Sequence, residues 1–294
     1  MDIEKQLQWA KDFREKLDRE EVEHFSPDKR YEVDKSEVFI PTGLGNTRVL
    51  EYRPKISGIL PVYINLHGGG FVVGSADGDD PWCPLIAEEA GCVVYNVDYR
   101  LAPEHKFPTA IEEVYSVAKY LFNNALELGV DLNRIAIGGH SAGGNLATAV
   151  CMLNIDQGNE IPFVQQILDY PVLDLLTKAE EKPTFKDAIP IDVATMFNVC
   201  YLNYSDEAKN PLASPVFAKG LDRMPAALMI TAELDSLANE GRVYAERLKE
   251  AGVSVYHKEY KDLPHGFNFS GVDFNAALDS WHLMSSQLKK AFGT

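Results

Sequence analysis

Strand-like apolar runs that alternate with helical stretches constrain the fold of this chain more than any other feature. Residues 61–66 and 92–97 are almost entirely apolar, as in strands buried on both faces of a parallel sheet. Apolar residues at helical spacing follow Pro108, and 134–137 is the next strand. The same patterns predict further strands at 37–40, 48–52, 164–168, 226–231 and 254–260, and helices at 142–153, 239–251 and 275–291. Helical connections of this length predict an α/β fold with a mostly parallel central sheet and helices on both faces.

Two segments lie outside this alternation. Residues 1–25 have apolar side chains at helical spacing with charges between them, which predicts an amphipathic helix that covers another surface. Residues 174–206 contain no strand pattern and one helical patch, so we expect an insertion above the sheet. The 294 residues contain no linker, repeat or low-complexity tract, which favours one domain with insertions.

The turn Gly139-His140-Ser141-Ala142-Gly143 lies between a predicted strand and a predicted helix. In this context a G-x-S-x-G pattern holds its serine on a strained turn, and the glycines let strand and helix approach each other. A serine hydroxyl is a weak nucleophile at neutral pH. It needs a base, a group that orients the base, and donors for the developing oxyanion. Ser141 is therefore the candidate nucleophile, and a packing turn is the alternative.

The run His67-Gly68-Gly69-Gly70 follows a predicted buried strand directly. Glycine amides can point at a carbonyl oxygen with no side chain in the way. We therefore assign Gly68 and Gly69, together with the Ala142 amide, to an oxyanion hole, and we expect His67 to anchor the loop. A flexible loop or a phosphate cradle is the alternative, although the Lys-Ser/Thr ending of a P-loop is missing.

Taken together, these motifs resemble the hormone-sensitive-lipase family of carboxylesterases over about residues 45–270. The resemblance rests on four segments: the glycine run at 67–70, Asp-Tyr-Arg-Leu-Ala-Pro-Glu at 98–104, Gly-x-Ser-Ala-Gly-Gly at 139–144 and His-Gly-Phe at 265–267. Within the second segment, Asp98, Arg100 and Glu104 are taken as structural, with a buried ion pair that holds the loop after the strand.

The resemblance also implies a division of the chain. It predicts an α/β-hydrolase catalytic core at 46–173 and 207–294, and a helical cap over the active site formed by 1–45 and 174–206. We expect the cap to present an apolar lid to the substrate. Its candidate side chains are Phe185, Ile189, Met196, Phe197 and Tyr201.

Chain order in this fold places the acid and then the histidine after the serine. Of the three late histidines, His265 lies in a loop with Pro and Gly after a predicted strand and matches the family's histidine, so it is the candidate base. His257 falls inside a predicted strand and His282 inside the last helix. We expect these two to be structural or on the surface.

The acid is expected at the end of the strand at 226–231, where Asp235 fits the family's position. Glu233 remains the alternative, because the family's Pro and second Asp after this acid are replaced here. Glu240 is expected to begin the following helix. His140 is a second departure, since relatives often have Asp or Thr before the serine. We expect it to be accommodated beside the nucleophile, and its role is left open.

Composition limits the partners. A net charge of −16 disfavours nucleic acid and anionic membrane surfaces. No window is apolar enough to span a bilayer and no signal-peptide pattern begins the chain, so we expect a cytoplasmic protein. The four cysteines lack C-x-x-C spacing and are expected to be buried thiols. Zinc-type spacings and a GxGxxG fingerprint are absent, so we expect neither a metal nor a cofactor.

The resemblance implies a serine carboxylesterase that acts on small-molecule esters with short to medium acyl chains. Ser141, Asp235 and His265 would form the triad and pass through an acyl-enzyme intermediate. Two alternatives remain: a deacetylase or amidase acting on acetylated sugars or small amides, and a non-catalytic small-molecule binder. A homodimer is left open.

Overall fold

Eight strands form one sheet within the part of the chain that the computed structural model describes, residues 1–19, 31–269 and 272–294. In chain order they are β1 (Val33–Thr42), β2 (Gly45–Pro54), β3 (Leu60–Leu66), β4 (Val93–Val97), β5 (Val130–His140), β6 (Phe163–Asp169), β7 (Ala226–Leu234) and β8 (Val255–Pro264). Their spatial order is β1-β2-β4-β3-β5-β6-β7-β8. β1 and β2 form an antiparallel hairpin and β2 is antiparallel to β4, whereas all other neighbours are parallel.

Helices connect the parallel strands and cover both faces of the sheet. They are α1 (Ile3–Arg19), α2 (Cys83–Ala90), α3 (Thr109–Asn123), α4 (Ala125–Leu128), α5 (Ala142–Asp156), α6 (Ile191–Tyr201), α7 (Ala238–Glu250) and α8 (Phe274–Phe292). β3 is buried along its whole length. Because strand side chains alternate, Ile64 joins the apolar cluster on one face and Tyr63 joins the cluster on the other.

The parallel arrangement brings the carboxyl ends of β3 and β5–β8 to one edge of the sheet. In open α/β sheets this edge, where the chain leaves each strand, is where ligands bind. The segments that follow these strands are the glycine run after β3, Ser141 after β5, Asp235 after β7 and His265 after β8.

The predicted α/β fold is confirmed, and the structure moves some of its boundaries. Residues 33–42 were assigned to the cap, but they form edge strand β1. Their backbone pairs with β2 along the whole hairpin, so this part of the assignment at 1–45 is wrong. The amphipathic helix predicted at 1–25 is present as α1, and its predicted last residues, 20–25, lie outside the described part. The predicted insertion at 174–206 has no strand and contains α6.

The helix α2, like the single turn α4, has no counterpart in the sequence analysis. It has only eight residues and five of them are buried, so it lacks the long amphipathic stripe that marks a surface helix. The expectation for the four cysteines is confirmed: all four are free and buried. Burial raises the pKa of each thiol, that of Cys200 to about 11.

Candidate active site

Ser141 occupies a tight turn between β5 and α5. Its backbone has φ 51° and ψ −112°, a conformation that a non-glycine residue adopts only when its surroundings force it. Those surroundings include the end of β3. A Cβ atom on Gly139 would lie 2.2 Å from the Leu66 carbonyl oxygen, and one on Gly143 would lie 2.0 Å from it. The two glycines therefore permit the close packing that holds the serine in its strained position.

Ser141, His265 and Asp235 are joined by hydrogen bonds at the ends of β5, β8 and β7. The Ser141 Oγ lies 3.0 Å from His265 Nε2, and His265 Nδ1 lies 2.7 Å from Asp235 Oδ2. The other Asp235 oxygen accepts the Leu237 amide at 2.9 Å, which fixes the carboxylate. Asp235 is only 1% exposed, so its charge faces His265 with little solvent screening. This arrangement lets the imidazole accept the serine proton while its other nitrogen is held.

The alternative acid and bases lie in other contacts. Glu233 accepts the Asp262 amide at 3.0 Å. His257 contacts the Thr231 hydroxyl on β7, and burial lowers its pKa. His282 on α8 contacts Glu89 at 2.8 Å and is about half exposed. In the geometry of the site, Asp235 and His265 are therefore the pair brought to Ser141.

The glycine run lies against Ser141. A Cβ on Gly68 would lie 3.6 Å from the Ser141 Cβ, so the loop passes directly beside the nucleophile. Gly69 has φ +117°, and a Cβ there would lie 2.1 Å from the Val73 carbonyl oxygen. The carbonyl of Gly69 in turn accepts the amides of Val72 and Val73, both at 3.0 Å. The loop is thus a tight turn that only glycine can form at this position.

His67 anchors this loop, as the sequence predicted. Its ring stacks on Tyr99 with centroids 4.2 Å apart, and the Tyr99 hydroxyl donates to the His67 carbonyl at 2.8 Å. Its Nδ1 donates to the Gly68 carbonyl at 2.8 Å. Burial lowers the pKa of His67, so the ring is neutral at physiological pH.

Ala142 supplies the third candidate donor. It is the first residue of α5, and the amides in the first turn of a helix have no acceptor within the helix. The Gly68, Gly69 and Ala142 amides all lie in segments that flank Ser141. The positive end of the helix also favours negative charge at this point.

A cavity of about 400 Å³ opens onto Ser141 and His265. Its walls are mostly apolar and come from the glycine loop, from the loop after β6 and from the insertion. The apolar lining residues include Phe71, Val172, Ile189, Ile191, Phe197 and Leu237. Such a cavity binds an apolar group and leaves the polar recognition to a few atoms near the nucleophile.

Two of the five predicted lid residues line this cavity, Ile189 and Phe197. Tyr201 is buried and stacks on Phe71 with centroids 3.8 Å apart, so it supports the wall from behind. Phe185 is 37% exposed, and neither it nor Met196 is among the lining residues. A helix turns each face in one direction, which is why α6 directs only some of its apolar residues at the cavity.

The N-terminal helix α1 packs on the insertion and on the glycine loop. Trp9 and Phe13 both contact the ring of Phe197. Arg14 donates to the carbonyls of Val72 at 2.8 Å and Ala102 at 2.9 Å, and it forms a two-bond ion pair with Glu104. The Arg14 hydrogen bond lowers the pKa of Glu104.

The ion pairing expected for the loop at 98–104 is present, and each of its charged residues pairs with a partner outside the motif. Asp98 pairs with Arg48 on β2, and Glu104 pairs with Arg14 on α1. Arg100 binds Glu113 on α3, a side chain that is 1% exposed. Each charge fixes the loop to a different element, which a local reading of the motif could not reveal.

The contacts of two further residues, His140 and Glu240, could not be predicted from the sequence. His140 is buried against Asp169, 29 positions away, and Asp79 lies on its other side. Glu240, expected only to begin a helix, is in the first turn of α7 and accepts the Leu173 amide and the Lys182 ammonium. Burial raises the pKa of Glu240 to about 7 despite the Lys182 charge.

Within residues 1–19, 31–269 and 272–294, no group of three or more His, Cys, Asp or Glu side chains could hold a metal ion. No helix there combines the length and the apolar character needed to cross a bilayer.

Comparison with known proteins identifies relatives for most of the chain. The profile of a family described as having the alpha/beta hydrolase fold matches residues 63–269. The carboxylic ester hydrolase LipN of Mycobacterium tuberculosis is 34% identical over 249 residues, which cover 82% of this chain and 66% of that protein. The carboxylesterase NlhH of the same organism is 37% identical over 228 residues, 75% of this chain and 71% of that protein. The match thus spans about two thirds of the length of these relatives.

Solved structures agree over nearly the whole chain. An esterase from Pyrobaculum calidifontis has a TM-score of 0.83 at 34% identity, covering 99% of this chain and 93% of that one. A thermostable carboxylesterase cloned from a metagenomic library has a TM-score of 0.82 at 33% identity, covering 98% and 97%.

Proposed function

Because the chain belongs to the α/β-hydrolase-fold family, in its hormone-sensitive-lipase-like branch of carboxylic ester hydrolases, we propose that it is a serine carboxylesterase. The observation that carries the proposal is the hydrogen-bonded chain Ser141–His265–Asp235 at the floor of an apolar cavity. Each member has the role that the triad chemistry requires: nucleophile, base and the acid that orients the base.

In the acylation step, His265 Nε2 takes the proton of Ser141 as Oγ attacks the ester carbonyl carbon. Asp235 accepts a hydrogen bond from Nδ1 and stabilises the imidazolium that forms. The carbonyl oxygen becomes an oxyanion and accepts hydrogen bonds from the Gly68, Gly69 and Ala142 amides. The bond to the leaving oxygen then breaks, and His265 gives its proton to the departing alcohol.

Deacylation repeats these steps with water. His265 removes a proton from water, whose oxygen attacks the acyl carbon on Ser141. The second tetrahedral intermediate uses the same three amides. When it breaks down, the proton returns to Ser141 Oγ and the carboxylic acid leaves, so the enzyme is restored.

We assign the role of cap to α1 and residues 174–206. Phe197 supports this assignment, since it lines the cavity and contacts both α1 and the glycine loop. The limited volume of the cavity, about 400 Å³, favours short to medium acyl chains. Its apolar walls favour acyl esters over acetylated sugars, whose hydroxyl groups need several polar partners.

A fluorophosphonate tests the nucleophile directly, because it forms a covalent bond with an activated serine. We expect rapid labelling of the wild-type protein, none of Ser141→Ala, and unchanged labelling of Ser286→Ala, a serine hydroxyl on the exposed side of α8. Failure of the wild-type protein to react would instead favour the non-catalytic binder.

A series of p-nitrophenyl esters from acetate to palmitate tests the cap. We expect kcat/KM to peak at short or medium chains in the wild type and to move towards longer chains in Phe197→Ala, because loss of the ring enlarges the cavity. Phe185→Ala, in the same insertion but outside the cavity lining, is the matched control and should leave the profile in place. A wild-type optimum at palmitate would contradict the proposed chain length.

A further inference from the structure

A buried hydrogen-bond network lies directly beneath the candidate nucleophile and has no part in the chemistry above. His140 Nδ1 lies 2.9 Å from Asp169 Oδ2, and the same oxygen accepts Asn268 Nδ2 at 2.9 Å. Asn268 Oδ1 accepts the Tyr170 hydroxyl at 2.5 Å, and its amide nitrogen lies 3.1 Å from Ser280 Oγ. All five side chains are at most 3% exposed, so water does not compete for these bonds.

This network joins the segments that carry the reacting groups. His140 is the last residue of β5 and immediately precedes Ser141. Asp169 ends β6, and its backbone carbonyl accepts the Ser141 amide at 2.9 Å. Asn268 lies in the same loop as His265, three residues further on. Tyr170 packs edge-on against the His265 ring with centroids 4.8 Å apart. Asp169 therefore binds both the turn of the nucleophile and the loop of the base.

A second carboxylate lies on the far side of the His140 ring. Asp79, which is fully buried, places Oδ2 at 3.7 Å from His140 Nε2 and accepts an amide hydrogen of Asn65. The remaining walls around the imidazole are aromatic, from Trp82, Phe269 and Trp281. A neutral imidazole would leave two buried carboxylates without a positive partner, which is costly in so apolar a setting.

We propose that His140 is a protonated positioning residue, an imidazolium between Asp169 and Asp79 that keeps the Ser141 turn and the His265 loop in register. Its two ring nitrogens face Asp169 and Asp79 and not the reacting atoms, so its effect on turnover passes through the network and rests on the proposed function. His140 and Asp79 also form part of the cavity lining.

The titration of His140 follows from its surroundings. Burial alone would lower its pKa, but the hydrogen bond to Asp169 and the charge of Asp79 outweigh burial and raise the pKa to about 9. The titratable groups near His140 and its carboxylates include Tyr63 on β3, His67 after β3, Tyr170 after β6 and Cys83 on α2. Burial raises the pKa of Tyr63, Tyr170 and Cys83 well above their usual values and lowers that of His67. All four are therefore neutral where His140 changes charge.

The raised pKa of His140 determines how the stability of the fold changes with pH. The folded pKa of His140 lies above the value of about 6.5 that a histidine has in an unfolded chain. Protonation therefore stabilises the fold fully below pH 6.5, and this contribution is lost as the pH rises through 9. We expect the wild-type Tm to fall by roughly 5–10 °C over this interval. His140→Asn, which retains a side-chain donor for Asp169 but carries no charge, should lack most of this fall.

Nuclear magnetic resonance of histidine-labelled protein tests the proposal without reference to activity. We expect the signal of one imidazole to show that it remains protonated at pH 8 and loses its proton near pH 9. This signal should be absent from the spectrum of His140→Asn and present in those of His265→Ala and His282→Asn. If every imidazole of the wild-type protein is neutral at pH 8, the proposal is wrong. The wild-type spectrum alone decides this even if His140→Asn does not fold.

Kinetics test the positioning role. In His140→Asn we expect kcat to fall about 10- to 100-fold with little change in KM, because the reacting atoms are displaced while the cavity is intact. We also expect the wild-type kcat to decline above pH 9, as His140 loses its proton, and this decline to be missing in the variant. An unaltered kcat and an unaltered alkaline limb would overturn the positioning role. If the wild-type protein is not labelled by the fluorophosphonate, the proposed esterase function is wrong instead. The nuclear magnetic resonance spectrum would still report the charge of His140 in that case.

Discussion

The floor and the roof of the site are held in place by different kinds of contact. The floor consists of Ser141, Asp235 and His265, which follow strands β5, β7 and β8 of one sheet and are joined by hydrogen bonds of 2.7–3.0 Å. The roof consists of α1 and residues 174–206, which reach the core through apolar contacts, such as that of Tyr201 with Phe71, and through long charged side chains. Under the proposed function, the chemistry would depend on the sheet and the choice of substrate on elements at the periphery.

Three cations attach the roof to the core. Arg14 binds the glycine loop, and Lys182 binds Glu240 at 2.7 Å. Lys106 donates to Gln6 on α1 and to the carbonyls of Cys200 and Leu202 at the end of α6. Each of the three side chains also donates to a backbone carbonyl, so its removal would leave that carbonyl without its donor. Single substitutions should therefore show how far the roof and the floor differ in their effects on kcat and on the free energy of unfolding.

The largest effect is expected at the floor. His265→Ala removes the base and should lower kcat by about 10⁴- to 10⁶-fold, because the serine proton then has no acceptor. Stopped-flow or steady-state assays with an activated ester measure this loss of kcat. His282→Ala, at an exposed histidine paired only with Glu89, is the matched control and should retain full activity. Comparable losses in both variants would show that the wrong histidine has been assigned.

An intermediate effect is expected where the roof meets the floor, in the glycine loop. Gly69→Ala places a methyl group against the Val73 carbonyl at a backbone angle unfavourable for alanine. We expect kcat to fall about 10²- to 10³-fold as an oxyanion donor is displaced. Gly43→Ala has open space around the added Cβ and should change neither activity nor Tm. A fully active Gly69→Ala would contradict the assigned hole.

The smallest effect is expected within the roof. Arg14→Met keeps an unbranched apolar stem but removes the donors to Val72, Ala102 and Glu104. We expect unfolding free energy to fall by about 1–3 kcal/mol, since two carbonyls lose their partner. The decrease in kcat should be smaller than in Gly69→Ala. Arg19→Met, on the same helix and bonded to Glu15 at the surface, is the control for both measurements.

The same contrast explains what could be predicted from the sequence. Ser141, Asp235 and His265 each follow a strand in a fixed chain order, so local pattern and order, together with the family resemblance, nominated them. His140, Asp169 and Asp79 meet through the register of strands far apart in sequence, and no local pattern encodes that meeting. For the same reason the partners of Asp98 and Arg100 could not be read from the motif. β1 was placed in the cap because a pairing partner cannot be read from a single segment.

Gly70 and Phe197 have a consequence for engineering this scaffold. A Cβ on Gly70 would lie 2.2 Å from the Phe197 ring, so the two positions share one volume. Chimaeras that import an α6 segment from a relative would have to transfer residue 70 along with residue 197. Libraries aimed at new ester selectivity would therefore randomise these two positions together, so that a larger side chain at one is combined with a smaller side chain at the other.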